Sequence, residues 1–287
     1  MQRNFVTLSF THYIIYMILF PEAKINIGLN VTRRREDGYH ILQTLFYPIN
    51  WCDALEILPM SDVNAANCIS TNDNKVHWYQ TGIIVDCDPE LNLCVKAYRL
   101  LQDRFPELPA VEMHLEKQIP FGAGLGGGSS DGAHALLMLR EMFGLDVTDN
   151  ELEAIAARMG ADCAFFCRCG NQLNTSNNNH KMQAQYCEGM GYELVPHTLS
   201  LKGKYIVVVK PPFGVSTREA SFGNSISTTS FTTFTDFISP LFNSSITSET
   251  GLFAKVVFVI SYCSLKMFLY KFSAFVVSSV TFGVITT

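Results

Sequence analysis

PFGAGLGGGSSDGAHALLMLREMFGL, residues Pro120–Leu145, is the stretch on which the reading of this chain turns. Five glycines, Gly122, Gly124, Gly126, Gly127 and Gly128, fall within seven residues, followed by Ser129, Ser130 and Asp131 and then by an apolar run at helical spacing. Glycine tolerates positive φ and lets backbone N–H groups approach a ligand closely. Several such groups ahead of a helix N-terminus make an anion nest, and the helix dipole adds positive potential. Ser129 and Ser130 are placed to cap the helix and to offer hydroxyls to a phosphate or a metal ion. The expectation is a nucleoside triphosphate lying over Pro120, Phe121, Gly122, Ala123, Gly124, Leu125, Gly126, Gly127, Gly128, Ser129 and Ser130. A flexible linker would not be followed at once by a well-patterned helix. A Walker A loop needs G-K-[ST], which is missing, and a dinucleotide fingerprint should follow the first strand of a βαβ unit, whereas this loop follows a late strand.

Outward from the loop, the chain reads as α+β. Apolar spacing predicts helices over Leu93–Phe105, Asp131–Phe143 and Asn150–Met159, with Asp149 or Asn150 capping the last. Strand patterns cover Ala23–Val31, Gln43–Pro48, Ala54–Pro59, Val111–Lys117 and Tyr205–Lys210. Residues 171–186, NQLNTSNNNHKMQAQY, read as a polar loop.

The bulk numbers permit this. With 287 residues there is room for two domains, and 48% hydrophobic residues can build a core. A formal net charge of −5 leaves no basic field for a nucleic-acid backbone. Nine scattered cysteines lack zinc-site spacing and suit reduced thiols in the cytoplasm; no metal site is expected among the side chains. The apolar stretch Phe5–Phe20 lacks the flanks of a signal peptide and is short for a membrane span. Residues 1–16 read as an extension, with Met17 a candidate start. The character changes near residue 221. A Ser/Thr/Phe mixture gives way to an apolar stretch in which Lys255, Lys266 and Lys271 interrupt each run, so a spanning helix is weakly supported and no membrane partner is expected. Neither a glycine turn nor an amphipathic helix stands out there, and Tyr205–Lys210 is expected to lack partners to cover its face.

The glycine loop resembles the second motif of the GHMP kinases, the superfamily of galactokinase, homoserine kinase and mevalonate kinase. Three further segments point to the same group: FPEAKINIGLNVTRRREDGYHILQTLFYPINWCD (Phe20–Asp53), MGADCAFF (Met159–Phe166) and the stretch Val208–Thr217, which ends in VST. Together they cover about 200 residues, and the A-K-x-N plus D-G-Y-H combination is more specific than the loop alone. Within the superfamily the chain is most similar to the enzymes that act on a cytidine-diphosphate-linked methylerythritol in non-mevalonate isoprenoid biosynthesis. The resemblance implies a two-domain fold: a ribosomal protein S5 domain 2-like N-terminal domain over 17–170, then an incomplete ferredoxin-like C-terminal domain beginning at 171–220. It implies ATP with Mg²⁺, and a small-molecule substrate phosphorylated on its 2-hydroxyl by a cytoplasmic monomer or homodimer.

The residues give this chemistry some independent footing. Asp162 follows Gly160–Ala161 just after a helix and leads into apolar residues, a plausible setting for a base that takes a hydroxyl proton. Lys24 stands in an apolar strand, where a lysine is costly unless paired or bound to an anion. Asn26, two residues on, faces the same side. By resemblance Lys24 pairs with Asp162 or steadies the transferred phosphoryl group, Tyr39 stacks on the cytosine, His40 reads its edge, and Thr217 contributes from the second domain. The family's third glycine motif, roughly G-[ST]-G-[SA], is absent downstream of Ala220. A shifted reading frame or an unusual tail over 221–287 would account for the change. The alternatives are another GHMP small-molecule kinase, of homoserine or mevalonate type, or a catalytically impaired nucleotide-binding remnant.

Overall fold

In a computed structural model of the chain, strand β7 (Val111–Lys117, VEMHLEK) alternates strictly between buried and half-buried residues, as a strand with one face on a core should. It pairs antiparallel with β4 (Ala54–Pro59) and parallel with β6 (Val76–Gly82). With β1 (Met17–Leu19) and β5 (Ile69–Ser70) these form a five-stranded sheet ordered β1-β4-β7-β6-β5. The structure describes residues 17–34, 40–60, 69–171, 183–189, 193–202, 205–210, 256–260 and 281–286.

A second sheet, ordered β2-β3-β8-β9, is built on the long hairpin of β2 (Glu22–Arg34) and β3 (His40–Cys52) and is extended by β8 (Gln185–Gly189) and β9 (Glu193–Pro196). The β2–β3 ladder skips Gly28, which lies between the pairs Ile27–Leu45 and Leu29–Thr44 with φ +70°. That is a glycine bulge, and the left-handed backbone there favours glycine.

Four helices complete this part of the molecule: α1 (Leu93–Arg104), α2 (Gly127–Phe143), α3 (Asp149–Met159) and α4 (Ala161–Asn171). Helix α2 is the hub: every residue from Ser130 to Arg140 is buried, and it packs on the other three helices and on β1, β2 and β4. Its Ala and Leu/Met positions fill the core on every side, while Ser130, Asp131, His134 and Arg140 are buried polar residues among them. Close approach needs small residues: a Cβ on Gly132 would come within 2.7 Å of Leu93 Cβ, and one on Gly170 within 2.3 Å of Leu137 Cδ1. Gly144, at φ +56°, ends α2 and donates its N–H to the carbonyls of Arg140 and Glu141. No helix among the described residues is long and apolar enough to cross a membrane.

Several local expectations need correction. Thr148, not Asp149 or Asn150, caps α3: its hydroxyl accepts from the Glu151 N–H, and the Glu151 carboxylate accepts from the Thr148 N–H. This is a reciprocal capping box, which outcompetes a lone Asp or Asn. Of the expected loop 171–186, Gln185 and Tyr186 open β8; a fully buried glutamine there obscures the apolar alternation. The first compact unit contains Leu125–Leu199, and the second begins again at Ser200. Strands β8 and β9 accordingly lie in the first unit's sheet. In the second unit, β10 (Tyr205–Lys210) lies in a three-stranded sheet, with β11 (Val256–Ile260) parallel to it and β12 (Thr281–Thr286) antiparallel.

Candidate active site

The approach to α2 is a backbone alternating in sign. Gly122, Gly124 and Gly126 have φ of +67°, +71° and +71°, while Ala123 and Leu125 do not share the left-handed region. Alternation of this kind turns successive N–H groups to one side. Gly126 is the N-cap of α2, and neither a side-chain cap nor an acidic residue serves the first turn. The first helical hydrogen bond runs from the Ser130 N–H to the Gly126 carbonyl at 2.8 Å. The N–H groups of Gly126 to Ser129 thus have no intrahelical acceptor. Ser129 and Ser130 lie inside this first turn and do not cap it, contrary to the sequence expectation; the Ser130 hydroxyl lies 3.4 Å from His134 Nδ1.

Lys24 is brought directly to this helix end. Its backbone N–H donates to the Leu125 carbonyl at 2.8 Å. A Cβ on Gly126 would stand 3.1 Å from Lys24 Cε and 2.9 Å from the Phe166 ring. Gly126 is glycine for two reasons, its positive φ and this crowding. The Lys24 ammonium, nearly buried, lies 3.2 Å from Asp162 Oδ2, donates to Asn26 Oδ1 at 2.6 Å, and sits 5.1 Å from the centroid of Phe46. Phe46, Phe165 and Phe166 pack ring to ring at 5.0 Å and make the apolar wall.

Asp162 is not in a turn that ends a helix. It stands in the first turn of α4, where the helix dipole favours a carboxylate. Gly160 separates α3 from α4 with extended backbone, and the Cys163 N–H donates back to its carbonyl at 3.1 Å. Two helices meeting at a single glycine leave little sequence signal of the new start.

Beneath the same helix end lies a second charged cluster that sequence reading missed. Lys117 Nζ donates to Asp53 and, at 2.9 Å, to Asp131 Oδ2. Asp53 Oδ1 also accepts the N–H groups of Gln118 (2.6 Å) and Ile119 (2.8 Å). Asp131 Oδ1 finds no partner among the described residues. Burial, assisted by the Asp53 charge and opposed by Lys117, pushes the Asp131 carboxyl up to about 8. Burial works against the Lys117 charge, but the two carboxylates outweigh it and its pKa is raised. The alternation of Val111, Met113, Leu115 and Lys117 on one face was a signal that could have found this lysine.

Residues 92–170 match the model of the GHMP kinases N terminal domain. The 4-diphosphocytidyl-2-C-methyl-D-erythritol kinase of Bacteroides fragilis is 47% identical over 204 residues, 71% of this chain and 66% of the relative. That of Azobacteroides pseudotrichonymphae is 39% identical over 222 residues, 77% of this chain and 73% of the relative. The chain belongs to the 4-diphosphocytidyl-2-C-methyl-D-erythritol kinase family. A crystal structure of 4-(cytidine 5'-diphospho)-2C-methyl-D-erythritol kinase matches with a TM-score of 0.52 at 33% identity, over 71% of this chain and 63% of that one. The mixed α and β architecture is accordingly that of the GHMP kinases. The chain spans just under two thirds, 66%, of the Bacteroides relative's length.

Of the family residues expected from sequence, the structure brings together Lys24, Asn26, Asp162, Gly126 and the α2 first turn. Pro120 is half-buried, Phe121 exposed, and Ala123 and Leu125 are buried. Tyr39 and Thr217 lie outside the described residues. Of His40 the structure describes the backbone, which opens β3 opposite Arg34.

Proposed function

We propose that this chain is an ATP-dependent kinase that phosphorylates the 2-hydroxyl of 4-diphosphocytidyl-2-C-methyl-D-erythritol in isoprenoid biosynthesis. The observation that carries the reading is the Lys24–Asp162 ion pair at 3.2 Å, abutting an uncapped helix N-terminus through Gly126. The N–H groups of that terminus suit the nucleotide's phosphates. Asp162 accepts the hydroxyl proton as the substrate oxygen bonds to the γ-phosphorus and the bond to the β–γ bridging oxygen breaks, releasing ADP. An ammonium has three donors, so Lys24 can hold Asn26 and Asp162 and still reach a phosphoryl oxygen. Mg²⁺, carried on the phosphates, would neutralise their charge, with the half-buried Ser129 as the hydroxyl beside it; Ser130 is fully buried and turned to His134. Tyr39, His40 and Thr217 are assigned to the cytidine end on family grounds.

The test is direct. Purified chain, ATP and Mg²⁺ are mixed with the cytidine-linked methylerythritol, with homoserine and with mevalonate in separate reactions. The first should gain one phosphoryl group by mass spectrometry and the others should not. Phosphorylation of homoserine or mevalonate instead would overturn the substrate assignment, and ATP binding without transfer to any of them would favour a nucleotide-binding remnant.

A further inference from the structure

One hydrogen-bonded chain behind Lys24 has a direction that chemistry dictates. It begins at Gly28, the residue skipped by the β2–β3 ladder. The bulge turns the Gly28 carbonyl away from β3's backbone, and the Thr44 hydroxyl donates to it at 2.6 Å. A carbonyl can only accept, and a threonine hydroxyl has one proton. Toward Asn26, 2.9 Å away, Thr44 must therefore accept, so the atom facing it is the Asn26 amide nitrogen. That forces Asn26 Oδ1 toward Lys24, whose ammonium donates to it at 2.6 Å. The reversed amide would set Nδ2 against an ammonium and Oδ1 against an oxygen with no proton left to give. Thr44 is almost completely buried and the Lys24 side chain nearly so, which keeps water from substituting for either partner.

We infer that Thr44 is a positioning residue: with the Gly28 bulge it locks the Asn26 amide in one orientation, and Asn26 in turn holds the Lys24 ammonium against Asp162. This rests on the reading of Lys24 and Asp162 as the phosphoryl-transfer pair. Among the described residues, Thr44's side-chain hydrogen bonds go to Asn26 and Gly28; it acts at one remove, through the single amide whose direction it sets. The consequence is selective. A displaced ammonium spoils alignment in the transition state, and misplacements of the order of 1 Å cost about 100-fold in favourable cases. ATP, held by the α2 terminus, does not depend on it.

The test compares Thr44→Ser, Thr44→Val and Thr44→Ala with Asp162→Asn in steady-state kinetics. Serine keeps the hydroxyl and should stay within about threefold of the parent kcat. Valine and alanine should lower kcat by about 10- to 100-fold with the KM for ATP within about twofold, the pattern of an interaction that matters in the transition state. Loss of activity in Asp162→Asn with full activity in Thr44→Val or Thr44→Ala overturns this inference and leaves the kinase reading intact. Full activity in Asp162→Asn overturns the kinase reading itself. Should the valine and alanine variants fail to fold, the parent protein still decides the matter by ¹⁵N NMR of the Asn26 side-chain amide. Slow proton exchange and a nuclear Overhauser contact from Nδ2–H to Thr44 support the lock, and a rapidly exchanging, freely rotating amide overturns it.

Discussion

Two lysines stand at the same helix end in almost equal burial and in opposite circumstances. The Lys24 side chain is 6% exposed and Lys117 3% exposed; Gly126 crowds the first, and a Cβ on Gly127 would crowd the second at 2.8 Å. Lys117 is closed in by two carboxylates, Asp53 and Asp131, themselves sealed from solvent. Lys24 faces one carboxylate and one amide, and its carboxylate, Asp162, remains 32% exposed. A buried cation whose partners are both sealed from solvent is out of a substrate's reach, and its role is to hold elements together. A cation whose partner reaches solvent can exchange part of its coordination for an incoming phosphate or hydroxyl. The difference separates a structural cluster from a reactive one more clearly than lysine burial does.

The comparison breaks first at Lys117. Lys117→Met would leave the buried Asp53 carboxylate beside Asp131 without its counter-charge, and removing one partner of a buried pair typically costs about 3–5 kcal/mol. Urea denaturation should show that loss; a variant as stable as the parent would mean that Lys117 does not hold the cluster. Next comes the glycine between the lysines and the phosphate site. Gly126→Val adds a side chain at φ +71° against Phe166 and Lys24, and ATP affinity by calorimetry should fall at least about tenfold, or 1.4 kcal/mol. Gly128, whose Cβ would meet nothing within 4 Å, is the control for folding, and Gly128→Ala should leave stability the same or slightly raised. Unchanged ATP affinity in Gly126→Val would remove the loop from the nucleotide site.

The third effect is a slope, spread over several pH units. Asp131, pushed up to about 8 from an ordinary 3.8, holds a proton in the folded chain that the unfolded chain releases. Its contribution to stability therefore falls as pH rises from about 4 to about 8, by at most about 1.4 kcal/mol per pH unit. Asp131→Asn should flatten that part of the stability profile. A slope as steep as the parent's would place the proton elsewhere in the cluster.

Much of this site was legible before any coordinates. A lysine in the apolar pattern of Ala23–Ile27 had to be paired, and a glycine run leading into a well-patterned helix marked a helix start with free N–H groups. Asp162 was legible as a residue but not in its setting, because Met159–Gly160–Ala161 joins two helices with no loop between them. Lys117 carried the same signal as Lys24, a lysine on an otherwise apolar strand face, but Asp53 was hidden by lying at a strand junction where its main partners are backbone N–H groups. Thr44 carried no signal, since its importance depends on a bulge at Gly28 that moves the register by one residue. The strands β11 and β12 were missed because unbroken apolar runs do not distinguish a strand from a helix by period.

The central claim, that Lys24–Asp162 is the reactive pair and the Lys117 cluster its structural counterpart, is tested most directly by measuring kcat and thermal midpoint together for Asp162→Asn and Asp53→Asn. Asp162→Asn should lower kcat by about 10²–10⁴-fold, the usual cost of losing a general base, while its midpoint stays within a few degrees of the parent. Asp53→Asn should lower the midpoint far more than Asp162→Asn does. Near-normal turnover in Asp162→Asn, with its stability intact, would contradict the account.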